Sequence, residues 1–108
     1  MAILGEDALP VVFAACSKDL PPGSHLRCDA AGQPVLLARL GDGLHAVHDT
    51  CLHRGASLSA SPVQDGVVTC HLHFWSFDVR SGACLQVPGL KLRTFVVFEE
   101  EGNIYVET

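Results

Sequence analysis

The residues able to do chemistry are gathered in one stretch of the chain. Cys51-Leu52-His53 puts a thiol and an imidazole one residue apart, and Cys70-His71-Leu72-His73 puts a second thiol three residues before an imidazole. Thiolate sulfur and imidazole nitrogen are the donors that zinc and iron–sulfur centres take. His45, His48 and His71 fall in the same region. With 5 Cys and 6 His in the chain, either pair alone arises by chance in roughly a third of such sequences. Both together, in this order and separated by residues 54–69, form a chance event at well under ~1%.

Two Cys and two His can hold one zinc tetrahedrally, as a structural, binding-only module. Zinc fingers of that composition place both Cys on one knuckle and both His on a helix, whereas here each segment offers one of each. A two-iron cluster matches the mixed pattern better, because each loop can give its Cys to one iron and its His to the other. Two ferric ions, two sulfides and two thiolates sum to zero with neutral imidazoles. Ligation by four cysteines would leave a dianion, which accepts an electron less readily.

Something must hold these loops, and the rest of the chain reads as β-structure. Gly and Pro punctuate it every eight to twelve residues, and no segment carries a 3.6-residue apolar stripe. Strands are expected over Val11 to Cys16, Gln33 to Leu40, Leu44 to His48, Val67 to Cys70, Phe74 to Val79 and Ala83 to Gln86. A final hairpin is expected from Thr94 to Phe98 and Asn103 to Val106. Turns fall at Pro21-Pro22-Gly23, Gly41-Asp42-Gly43, Asp65-Gly66, Arg80-Ser81-Gly82 and Pro88-Gly89. Two long loops remain, Cys51 to Val67 and Leu85 to Arg93. The fold class is therefore all-β, a small antiparallel sandwich or barrel, with residues 1–108 as a single domain.

Composition removes several functions. The chain has 7 Lys plus Arg against 12 Asp plus Glu, a net charge of −5, and no basic cluster, which excludes nucleic acid as a partner. Apolar residues are 48% and charged residues 18%, a globular balance. No apolar run is long enough for a membrane helix. Met1 to Pro10 carries Glu6 and Asp7 and no basic residue, unlike a secretion signal, so a cytoplasmic protein is expected. Cys16, Cys28 and Cys84 are expected to be buried or half-buried thiols, His71 an exposed loop residue, and Glu99 to Glu101 a solvated hairpin tip. There is no nucleophile–base pair, phosphate loop or paired-carboxylate motif, which points away from catalysis by the chain itself.

The pattern Cys51-Leu52-His53-Arg54-Gly55-Ala56, then Cys70-His71-Leu72-His73, then Phe74-Trp75-Ser76-Phe77-Asp78 and Arg80-Ser81-Gly82 resembles the Rieske [2Fe–2S] signature. Pro88 lies where that family's third, proline-bearing loop covers the cluster. The resemblance implies a Rieske-type β-fold with a cluster-binding subdomain of two ligand loops. It implies that Cys51 and Cys70 bind the inner iron and His53 and His73 the outer one, whose exposed imidazoles pass the electron. It further implies a monomeric ferredoxin that takes electrons from an NAD(P)H-dependent flavin reductase. Their destination would be a terminal oxygenase, either an aromatic ring-hydroxylating dioxygenase or a diiron monooxygenase. A Rieske-like small subunit of an assimilatory NAD(P)H nitrite reductase is the alternative. Two positions depart from the family's usual pattern: Leu52 stands for a frequent proline, and Phe74 for a frequent glycine. His-x-Trp with a bulky middle residue is similar to the diiron systems, and Cys-x-His-Arg-Gly-Ala to the dioxygenase ferredoxins.

High-potential members of the family join the two ligand loops by a disulfide and place Ser and Tyr hydroxyls beside the cluster. The matching positions here are Ala56 and Leu72, then Trp75 and Phe77, none of which can do either. Fewer hydrogen bonds to the sulfurs leave the reduced state less stabilised. The expected potential lies at the low end of the Rieske range, which runs from roughly −150 to +300 mV. A redox titration giving a value well above zero against hydrogen would refute that.

Overall fold

The structure is a computed structural model that describes residues 10–51, 57–71 and 74–108. Strands follow one another as β1 (Val11–Cys16), β2 (His25–Ala30), β3 (Gln33–Leu40), β4 (Gly43–His48), β5 (Val63–Gln64), β6 (Val67–Thr69) and β7 (Ser76–Asp78). They continue as β8 (Thr94–Phe95), β9 (Val97–Glu100) and β10 (Asn103–Glu107). The strands form three antiparallel sheets, ordered β1-β10-β9, β2-β3-β4-β8 and β5-β6-β7. Among the described residues the only helical turns are 3-10 turns at Ser17–Asp19 and Leu58–Ala60, and no helix is long and apolar enough to cross a membrane.

The four-stranded sheet has a packed core on each side. Along β3, Val35, Leu36, Leu37 and Ala38 are all fully buried. Alternate side chains of a strand point to opposite faces. Val35 and Leu37 accordingly join Leu20, Ala46, Phe95, Ile104 and Val106 on one side. Leu36 and Ala38 join Val47, Leu58, Val68, Phe77 and Leu92 on the other, and Cys51 and Cys70 sit in this second core. The unbroken apolar run in the sequence has this cause, since a strand covered on both faces has no polar alternation to show.

Two-residue turns connect β2 to β3, β3 to β4, β5 to β6 and β9 to β10. Asp65 and Gly66, between β5 and β6, both take positive φ (53° and 78°), the geometry whose twist matches the flanking strands. Gly82 is held more tightly. Its φ is 81°, and a Cβ there would press on the backbone carbonyl of Leu92. The Leu92 amide donates to the Gly82 carbonyl at 2.8 Å, which staples the segment after β7 to the approach to β8.

The structure corrects three sequence expectations. The stretch from Thr94 to Phe98 is not one strand: β8 pairs with β4 through Ala46 and Val47, and β9 pairs with β10. The chain changes sheets at Val96, which is 58% exposed while Phe95 is buried. Ala83 to Gln86 forms single bridges, Phe77 to Cys84 and Ala83 to Lys91, because it turns between two partners and runs alongside neither. Strand β2 was not foreseen, and the loop from Cys51 to Val67 includes the 3-10 turn at Leu58–Ala60 and strand β5. In β2 only Leu26, Cys28 and Ala30 face the core, between His25, Arg27 and Asp29, a weak signal. Glu100 and Glu101 are exposed as expected, while Glu99 forms a two-pronged pair with Arg39 at 2.7 and 3.3 Å.

Polar contacts join the tip of the β3–β4 hairpin to the turn after β7. Arg80 Nε donates to Asp42 Oδ2 at 2.8 Å, and His45 Nε2 lies 3.0 Å from Asp42 Oδ1. The Arg80 hydrogen bond, and after it the His45 one, lowers the Asp42 carboxyl from its ordinary 3.8 to about 2. A carboxyl whose value is depressed on folding contributes stability above its unfolded value and loses it as pH falls through the folded one. That contribution is therefore present above pH 3.8 and lost towards pH 2. In urea unfolding, Asp42→Asn should show a shallower loss of stability than the unaltered protein across this window. Equal slopes would exclude the contribution.

Candidate metal centre

Cys51 follows β4 by three residues, and Cys70 follows β6 directly. Each lies at the neck of a loop that backbone hydrogen bonds close. In the first, Thr50 bridges to Ser57, and the Leu58 amide donates to the Asp49 carbonyl at 2.7 Å. In the second, the Cys70 amide donates to the Trp75 carbonyl at 2.7 Å, and the Phe74 amide donates to the Cys70 carbonyl at 2.8 Å. Two hairpin-like loops thus rise from one core, with a thiol at the base of each. The segment holding Pro88 stands beside them. It is tied to β7 by the Leu85 amide on the Ser76 carbonyl at 2.8 Å and the Ser76 amide on Gln86 Oε1 at 2.7 Å.

The donor set suits an iron–sulfur centre. Cys51 is 1% exposed and Cys70 fully buried, in the same apolar core as Leu58, Phe77 and Cys84. A dry, apolar floor shields soft sulfur ligands from water and hydrolysis. Phe77 is fully buried, and Trp75 packs against this core. His53 and His73 lie outside the described residues, as do Arg54, Ala56 and Leu72. Among the described residues, accordingly, no three His, Cys, Asp or Glu side chains converge as a ligand set. His71 is exposed, as its reading as an exposed loop residue expects, and His45 is hydrogen-bonded to Asp42.

The other cysteines behave as quiet thiols. Cys16 and Cys28 are half-buried, Cys84 is buried, and none of these three is in a disulfide. Burial first, and the nearby Asp29 and Asp49 carboxylates after it, push the Cys28 thiol up to about 11. At neutral pH it is a thiol and not the reactive thiolate.

Sequence reasoning missed the polar support of the first loop. Asp49, 1% exposed, accepts hydrogen bonds from the hydroxyls of Ser57 and Ser59 and, at 2.7 Å, from the Ser59 amide. A carboxylate two residues before Cys51 and the Ser57-x-Ser59 pair were visible, but no spacing rule joins them.

The sequence model described as the Rieske [2Fe-2S] domain matches residues 11–96. The ferredoxin component of biphenyl 2,3-dioxygenase from Rhodococcus jostii (strain RHA1) is 39% identical over 92 residues, covering 84% of this chain and 86% of that protein. The ferredoxin of carbazole 1,9a-dioxygenase from Nocardioides aromaticivorans IC177 superposes with a TM-score of 0.81 at 31% identity, over 90% of this chain and 96% of that one. A chain from a complex of reduced oxygenase and oxidized ferredoxin in carbazole 1,9a-dioxygenase gives 0.80 at 32% identity, over 90% and 92%. Buried cysteines at two loop necks, on a fold shared with these proteins, leave one assignment: the chain belongs to the Rieske [2Fe-2S] domain family. Its cofactor is one Rieske-type [2Fe–2S] cluster, which displaces the zinc reading.

Phe74 shows what the departure from the family's glycine costs. Its φ is 62°, the left-handed region, and its ring is 72% exposed, so packing returns little. An L-residue there carries roughly 1–2 kcal/mol of backbone strain. Phe74→Gly should raise the melting temperature by about 2–5 °C, after allowing for the looser unfolded chain. Phe74→Val, β-branched and worse suited to positive φ, should lower it. Melts followed by far-UV circular dichroism check both, and a drop with glycine would rule out the strain.

Proposed function

We propose that this protein is a Rieske ferredoxin of an aromatic ring-hydroxylating dioxygenase system, a one-domain, monomeric carrier and not an enzyme. It takes single electrons from an NAD(P)H-dependent flavin reductase and delivers them to the terminal oxygenase. The observation that carries the reading is similarity to a dioxygenase ferredoxin component at 39% identity over 84% of this chain. The relatives named above side with the dioxygenase systems over the diiron monooxygenases, and they leave the nitrite reductase reading without support. Because NAD(P)H is a cytoplasmic reductant, the reading also places the carrier in the cytoplasm.

Cys51 and Cys70 would hold the cluster through thiolates, and His53 and His73 would complete the donor set. The cluster supplies a site that gains and loses one electron. The chain contributes the dry floor of Leu58, Phe77 and Trp75, two loops already closed at their necks, and a surface for brief docking. The net charge of −5 suits steering towards basic patches on both partners.

The purified protein, reduced with dithionite, should give a rhombic EPR signal with average g below that of four-cysteine clusters, at two iron and two sulfide per chain. His73→Ala should lose this signal while His71→Ala keeps it. The reverse pattern would make His71 the ligand. A protein that holds zinc and no iron would end the electron-transfer reading.

A further inference from the structure

The first ligand loop rests on a buried carboxylate. Asp49 lies just ahead of it, and its carboxylate is almost wholly buried. Oδ2 accepts from the Ser57 hydroxyl and, at 3.1 Å, from the Ser59 hydroxyl, while Oδ1 accepts from the Ser59 amide at 2.7 Å. The backbone of the same residue adds two bonds, donating to the Pro34 carbonyl at 3.0 Å and accepting from the Leu58 amide at 2.7 Å. Strand β2 closes the arrangement from below. Arg27 Nε stands 3.8 Å from Asp49 Oδ2, and His25 Nε2 lies 3.1 Å from the Ser59 carbonyl.

Among the described residues, the side-chain hydrogen bonds of Asp49 go to the returning arm of the loop, at Ser57 and Ser59. A residue that served only the sheet would not direct its carboxylate there. A buried carboxylate is costly unless donors surround it, so this one holds its donors in place. Closing the ends of a loop in advance lowers the entropy that binding at the loop must otherwise offset.

We propose that Asp49 is the positioning residue of the first cluster loop, its buried carboxylate locking the return arm at Ser57 and Ser59 against the neck that carries Cys51. The proposal rests on the assignment of Cys51 as a ligand. Asp49 touches no iron in this role. It acts through the loop, and it sets a negative charge beside the ligand Cys51 in sequence.

The test uses the cluster-loaded protein, and three quantities are read. They are the rate at which an iron chelator bleaches the visible absorbance, the reduction potential, and the far-UV circular dichroism. Asp49→Ala should bleach about tenfold faster or more, a size usual for lost outer support of a metal ligand, with the β-signal intact. In Asp49→Asn the amide oxygen still accepts from the Ser59 amide, and its NH2 can donate to the serine oxygens. Bleaching should then rise less, while the potential shifts upward because a nearby negative charge is gone. That shift reports the charge alone, so positioning is read from the bleaching rate with the β-signal intact. If Asp49→Ala does not fold, Ser57→Ala with Ser59→Ala removes the donors instead and should accelerate bleaching several-fold.

Wild-type bleaching in Asp49→Ala, or in the double serine variant where that replaces it, would overturn the proposal. Cys51→Ser runs alongside. A fully loaded, spectroscopically unchanged Cys51→Ser overturns the ligand assignment, whereas a cluster-free Cys51→Ser beside a wild-type-like Asp49→Ala overturns only the role of Asp49.

Discussion

The middle of strand β3, Val35 to Ala38, has water on neither face, and both halves of the molecule hang on that fact. Val35 and Leu37 fill the core shared with the β1-β10-β9 sheet, while Leu36 and Ala38 fill the core beneath the ligand loops. A fully buried Val or Leu contributes roughly 1.5–3 kcal/mol, so three such side chains in a row anchor the middle sheet to both neighbours. Any slip of one residue in β3 would exchange the two sets and empty both cores at once. The register Leu36 to Val47 and Leu37 to Ala46 is therefore strongly specified. With it is specified the point where β4 ends and the first ligand loop begins.

From that frame the metal-binding end is built with little additional structure. The short sheet β5-β6-β7 delivers Cys70, the end of β4 delivers Cys51, and both thiols face the core that holds Leu36 and Val47. Each loop is closed by backbone bonds before any metal is considered. The two necks differ in kind. The second is closed by the backbone bonds of Cys70 with Trp75 and Phe74 and by the Thr69 and Ser76 hydroxyls, 2.9 Å apart. The first adds a buried carboxylate, with Arg27 and His25 of β2 beneath it. The strand least visible in the sequence thus lies under the more elaborate of the two necks.

The opposite end has a separate economy. Phe13, Tyr105 and Phe98 stand side by side across β1, β10 and β9, with ring centroids 6.3 and 5.4 Å apart. Cross-strand aromatic pairs of this kind contribute roughly 0.2–1 kcal/mol each. They stabilise a sheet whose outer face is open, while the inner face carries Ala15, Ile104 and Val106 into the core. A bulge at Ala14 shifts the pairing between Phe13 and Ala15 and keeps both assignments on their proper sides.

Local chemistry is what a sequence shows directly, and here it showed most of the outcome. The Cys51/His53 and Cys70/His73 spacing, the buried run in β3, the Asp65-Gly66 turn and the closing hairpin at Glu101-Gly102 all depend on residues a few positions apart. They were legible for that reason. The change of sheet at Val96 was not, because Thr94 to Phe98 looks equally extended whether it serves one sheet or two. Nor was the support of the first loop. Asp49 reaches Ser57 and Ser59 across the loop, and Arg27 and His25 arrive from a strand more than twenty residues away in sequence. The donor types and their order were thus a property of the chain alone. Which polar groups hold those donors in place was decided by packing, since a buried carboxylate takes its partners from whatever the fold brings to it.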